Sequence, residues 1–147
     1  MNHISIEKLQ LGDIPQVVAL QQTILPFEIT EERACQRYRQ LLDNQDYFVL
    51  AAKEGDEVLG TVTVICCRGL ADNFLVLEDF VVKTGLTGKG IGGQIMAAVD
   101  RFAQERECAY AILVSSGFRT DAHRFYYNHG FTEDVRGFRK VYADSLP

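Results

Sequence analysis

The chain has 147 residues, the length of one domain (residues 1–147) and enough to bury about two-thirds of its unfolded surface. Apolar residues make up 47% and charged residues 24%, as in ordinary globular chains, and a net charge of -5 argues against a nucleic-acid binder, which shows a basic excess. No run of about 18 apolar residues occurs, so no membrane span is expected, and MNHISIEKLQLGD has no basic segment ahead of an apolar block, so no signal peptide is expected.

Ile4 to Leu9 alternates as a short strand. Asp13 is placed to cap a helix with Pro15 in its first turn, an apolar face of Val17, Val18, Leu20, Ile24 and Leu25, and Pro26 as its stop. Thr30 caps a second helix, from Glu31 to about Leu42, with acids in the first turn where the dipole favours them. Tyr47 to Lys53 and Val58 to Cys67 read as a hairpin about the turn Glu54-Gly55-Asp56-Glu57. Leu75 to Val82 is an apolar strand, and Ile91, Ile95, Val99 and Phe102 then recur at helical spacing. Ala109 to Ser115 is a further strand punctuated by Ser116-Gly117. Asp121 to about His129 is a short helix with Ala122, Phe125, Tyr126 and His129 on one stripe, and Gly130 ends it. Phe131-Thr132-Glu133 and Phe138 to Tyr142 read as two last strands. The order β-α-α-β-β-β-α-β-α-β-β predicts a mixed α+β, three-layer domain. Its central sheet is mostly antiparallel, with one βαβ crossover and flanking helices.

Cys35, Cys66, Cys67 and Cys108 form no CxxC, and His3, His123 and His129 are scattered, so neither a disulfide framework nor a metal site is expected. Reduced thiols in a cytoplasmic protein are the expectation.

Gly85, Gly88, Gly90, Gly92 and Gly93 crowd the turn between the apolar strand and its helix. Such glycines let the backbone bend sharply and approach a ligand with no Cβ in the way. The first N–H groups of the helix lack partners and sit at the positive end of its dipole, so the turn offers a phosphate-sized socket. A Walker A loop is excluded, because Ile91 stands where its lysine should be. Gly88 to Gly93 also satisfies GxGxxG, but the tip of the next strand, Val114-Ser115-Ser116, lacks the acid that holds a dinucleotide ribose.

The turn resembles the acetyl-CoA signature of the GCN5-related N-acetyltransferases (GNAT family), Q/R-x-x-G-x-G/A, in Thr87-Gly88-Lys89-Gly90-Ile91-Gly92. Ala122 to Phe131 is similar to the same family's A-x-x-F-Y-x-x-x-G-F segment. Thr87 departs from the pattern, standing where the family has Gln or Arg. The resemblance implies the GNAT fold and transfer of an acetyl group from acetyl-CoA to a primary amine, by direct attack in a ternary complex. It implies that Thr87, Gly88, Lys89, Gly90, Ile91, Gly92 and Gly93 hold the diphosphate. It further implies that Phe80, Val81 and Val82 line the pantetheine arm, where the strand splays from its neighbour and a backbone N–H faces the oxyanion.

Tyr126 matches the tyrosine the family uses as general acid toward the leaving thiolate. Glu78, an acid within the apolar strand, is the expected general base, placed on the face of Phe80 and Val82 by period-two alternation, with Asp79 on the other face as second choice. The acceptor is expected against the two N-terminal helices, with Phe27, Glu28 and Tyr47 as its wall. The DAHRFY segment is similar to that of aminoalkylphosphonate N-acetyltransferases, which suggests a small-molecule amine. Peptide acetylation and a non-catalytic acyl-CoA-binding module are the alternatives. Dimerisation is common in the family, and nothing in the periodicity of this chain shows it.

Overall fold

The computed structural model describes residues 3–86, 88–115 and 119–143. Among them, five strands form one sheet in the order β1-β2-β3-β4-β5. These are β1 (Ser5–Lys8), β2 (Tyr47–Glu54), β3 (Glu57–Arg68), β4 (Asn73–Val82) and β5 (Cys108–Leu113). The first four pair antiparallel in sequence, whereas β5 runs parallel to β4 after a crossover through helix α3 (Ile91–Glu105). Helices α1 (Ile14–Gln22) and α2 (Glu31–Leu41) pack on one face with Val49, Ala51, Val58 and Val81. Helices α3 and α4 (Thr120–Asn128) pack on the other, through Ile91, Ile95, Met96, Val99, Phe102 and Tyr126 against Val62, Val64, Leu75 and Leu77. This is the three-layer α+β arrangement the sequence predicts.

Local chemistry sets most boundaries. Thr30 caps α2, its hydroxyl accepting from the Arg33 N–H at 3.2 Å. Asp13 holds the N-cap position of α1 but does not cap it. Its carboxylate accepts instead from Gln10 N and, at 3.0 and 3.2 Å, from the buried ammonium of Lys53. That hydrogen bond, ahead of the charges of Asp13 and Glu7, holds the Lys53 pKa above its ordinary value. Helix α1 ends at Gln22, four residues before Pro26, where Thr23 turns its hydroxyl back to the carbonyl of Leu20.

The two last strands do not form. None of the described residues from 129 to 143 lies in a strand, and Phe138 and Tyr142 are 91% and 86% exposed. Strand propensity mostly reflects packing on a half-buried pleated surface, and these side chains have none to pack on.

Helix α4 stops at Gly130, which has φ 93. The Gly130 N–H reaches Tyr127 O at 3.2 Å, the Phe131 N–H reaches Tyr126 O at 3.0 Å, and the Phe131 ring packs 6.0 Å from that of Tyr126. The left-handed residue thus fixes both the helix end and the Tyr126 ring. Gly130→Ala is expected to lose about 1–2 kcal/mol in chemical denaturation, the cost of a Cβ in the left-handed region.

Candidate active site

A cleft of about 900 Å³ opens between the end of β4, the start of α3 and the inner face of α4, with Thr23 and Ile24 from the end of α1 at its border. Three features of the backbone shape it.

The first is the glycine turn. Gly90 is the N-cap of α3 at φ 83, and a Cβ there would stand in open space. Intrahelical bonding begins with Gln94 N to Gly90 O at 3.1 Å, so the N–H groups of the preceding turn have no acceptor within the helix. The second is a gap in the sheet. The β4–β5 ladder ends at Leu77↔Leu113, while β4 continues to Val82 with only β3 beside it among the described residues.

The third is a bulge. Thr63 faces Glu78 and Thr61 faces Val81, so Val62 alone opposes both Asp79 and Phe80. Asp79 takes φ 53, left-handed for a residue with a Cβ. The bulge resets the alternation of the strand. Leu75 and Leu77 lie in the core beneath α3, and beyond the bulge Phe80 and Val82 pack on that core while Val81 joins the core of α1 and α2. Glu78 alternates with Leu77 and therefore points to the α1/α2 face, not to the face of Phe80 and Val82 as strict period-two alternation predicts.

The side chains of the cleft are mostly apolar, with Tyr126 on its wall and only 8% exposed. Its ring meets Phe80 edge-on at 6.3 Å and Phe125 at 5.6 Å. Burial raises the phenol pKa, and the charge of Arg119 pulls it back. Glu78 is an exposed residue, yet surrounding protein desolvates its carboxyl; that burial, then the charge of Asp79, raises its pKa, and Arg139 opposes. Burial also raises the carboxyl of Asp79.

Of the residues expected to hold the cofactor, Phe80, Val81, Val82, Gly88, Gly90, Ile91, Gly92 and Gly93 line this one cleft, and Thr87 lies outside the described residues. Lys89 is exposed, is not part of the wall, and turns its N–H back to Leu86 O at 3.4 Å. Phe27 and Glu28 sit in the α1–α2 connection just past Ile24, where Gln22 pins the backbone through Phe27 O at 2.9 Å and Ile29 N at 3.1 Å. Tyr47 opens β2 opposite Ile65, at the end of the sheet away from the cleft, and is not brought to it. Arg119, Thr120, Asp121 and His129 also line the cleft. The first three lie in or before the first turn of α4, and the seven-residue step from Arg119 to Tyr126 is the sequence signal for a shared helix face.

Residues 15–131 match the model of the Acetyltransferase (GNAT) family. The chain belongs to the GNAT family. Three solved structures share its fold. A transcriptional regulator from Bacillus halodurans C-125 is 23% identical over 95% of this chain and 100% of its own, with a TM-score of 0.85. A putative acetyltransferase from Agrobacterium tumefaciens str. C58 is 22% identical over 94% and 99%, with a TM-score of 0.85. Glucosamine-6-phosphate N-acetyltransferase from Arabidopsis thaliana is 18% identical over 97% and 100%, with a TM-score of 0.83. No curated protein is similar enough in sequence to count as a relative.

As a GNAT enzyme the chain is an acetyl-CoA-dependent N-acetyltransferase. Its cleft fits that donor: open space where a Cβ on Gly88 or Gly90 would project and, among the described residues, amides without acceptors at the start of α3 and an unpaired strand edge beside Phe80 to Val82. The described residues contain no cluster able to hold a metal ion and no helix long and apolar enough to cross a membrane.

Proposed function

We propose that this enzyme acetylates the primary amine of a small molecule by direct attack in a ternary complex. The observation that carries the reading is Tyr126, a buried phenol on the wall of the cleft that the glycine turn opens into. Acetyl-CoA, when bound, supplies an acetyl group activated as a thioester. The amides of Gly88 to Gly93, other than the inward-turned one of Lys89, would hold its diphosphate. The edge of Phe80 to Val82, free among the described residues, would hydrogen-bond its arm. Tyr126 stays protonated at neutral pH and gives its proton to the leaving sulfur.

Glu78 takes the proton of the amine. Its turn toward the α1/α2 face supports this role, because the acceptor is expected on that side, with Phe27 and Glu28 at its border; Asp79, strained at the bulge, is the alternative base. The small-molecule class is supported by the DAHRFY segment, similar to that of aminoalkylphosphonate N-acetyltransferases. It is also supported by a fold neighbour named for glucosamine 6-phosphate, a small amine. Four free cysteines support a reducing, cytoplasmic setting. Every residue named comes from one chain, so the reading holds for a monomer or a homodimer.

Thiol release at saturating acetyl-CoA, with amino sugars, aminoalkylphosphonates, polyamines and peptides as acceptors, tests the substrate class. Turnover of at least one small amine at about tenfold or more the kcat/KM of any peptide is expected. Acetylation of peptides alone would contradict it. For the base, the acidic limb of the kcat/KM profile should lie above the ordinary carboxylate range, since burial raises Glu78. Glu78→Gln should abolish that limb and lower the plateau by about 10²-fold or more.

A further inference from the structure

We infer that Arg119 is a positioning residue for acetyl transfer: its guanidinium holds the negative charge that Tyr126 acquires when the phenolic proton leaves. This rests on the reading of Tyr126 as the proton donor.

Arg119 is the N-cap of α4, and its carbonyl accepts from the His123 N–H at 3.1 Å. Tyr126 follows seven residues later, about two turns on, so the two share a helix face. Helical side chains lean toward the N-terminus, which carries the Tyr126 ring back toward Arg119. Both line the one cleft. Arg119 is half-buried, and none of the described carboxylates lies within ion-pair distance of it. A partly desolvated guanidinium without an acid partner is poised for an anion that forms during the reaction.

The surroundings of Tyr126 leave that task to Arg119. Asp121 and His129 lie on the same helix and line the cleft, α3 presents glycines and Ile91 there, and Phe131 packs on the ring. On β4 the neighbour is Phe80, with Glu78 and Asp79 at the bulge. Of these charged groups, only Arg119 is felt at the phenol, where it opposes the effect of burial.

The step balances. The amine nitrogen bonds the acetyl carbon and its proton passes to Glu78. The carbon–sulfur bond breaks as Tyr126 gives its proton to sulfur. A tyrosinate remains beside Arg119 until water returns the proton that Glu78 releases.

The test uses the full chain. Tyrosinate absorbance is titrated as the difference between the wild type and Tyr126→Phe, which isolates Tyr126, and again in the Arg119→Met background. Loss of the cation should move the Tyr126 titration up by about one pH unit and lower kcat about tenfold, with the KM for acetyl-CoA within about threefold. Arg119→Lys should restore most of both. An unmoved titration, with Tyr126→Phe inactive, would overturn the role of Arg119 alone. So would a raised KM with kcat and titration unchanged, which would make Arg119 a phosphate clamp. A moved titration with Tyr126→Phe at the wild-type rate would overturn the proposal through the reading it rests on.

Discussion

Tyr126→Phe should lower kcat by about 10²-fold or more while leaving the KM for acetyl-CoA within about twofold. The substitution removes one oxygen and keeps the ring. The ring holds the packing: its edge contacts with Phe80 and Phe125, and the contact with Phe131 that closes the end of α4, are ring contacts. The hydroxyl matters only as the thiolate departs, so its loss should appear in kcat and kcat/KM together. Removing the hydroxyl breaks no hydrogen bond in the resting protein, since none of the described residues bonds to it, and the oxygen is not among the buried unpartnered atoms. Stability should therefore be nearly unchanged, and thermal unfolding checks that the kinetic loss is chemical. A wild-type rate would remove Tyr126 from the mechanism, and a loss confined to KM would make it a binding residue.

Gly92→Val should weaken acetyl-CoA binding by about tenfold or more and cost about 1–3 kcal/mol of stability, the usual cost of overpacking. The φ of Gly92 is not left-handed, so backbone freedom does not require glycine there. Space does. A Cβ would stand 2.8 and 2.9 Å from Phe125 Cε1 and Cζ. That ring is boxed in by Phe80 at 5.4 Å, Tyr126 at 5.6 Å and His129 at 4.4 Å, so relief must come from separating α3 from α4. Those two helices are the walls of the cleft. Gly92→Ala sets a helix-propensity gain of about 1 kcal/mol against the same first contact, and Val adds two methyl groups to the conflict. Gly93 is the control. Its added Cβ would meet His129 Cε1 at 3.4 Å, an ordinary contact, so Gly93→Ala should bind acetyl-CoA like the wild type. Calorimetric titration of the three variants separates the outcomes, and equal affinity in all three would refute the packing argument.

The helices, β1 to β5 and the glycine turn were legible because each is written in local periodicity, caps and breakers. The misreadings have non-local causes. Asp13 looks like a helix cap until Lys53, forty residues on, claims its carboxylate. The face of Glu78 depends on a bulge set by the pairing of β4 with β3, which no single strand encodes. Phe138 to Tyr142 has the residues of a strand, but a strand forms only where an edge receives it. Tyr47 is expected in the acceptor wall, and the register opposite Ile65 carries it to the other end of the sheet. Arg119 is not singled out by the sequence pattern, because its part in the cleft rests on its place ahead of α4, outside either motif.

The most direct test is a crystal structure of the chain with coenzyme A. The diphosphate should accept hydrogen bonds from the free amides between Gly88 and Gly93, with the arm along Phe80 to Val82 and the sulfur within hydrogen-bonding reach of the Tyr126 hydroxyl. Coenzyme A bound elsewhere, or a sulfur beyond the reach of Tyr126, would contradict it.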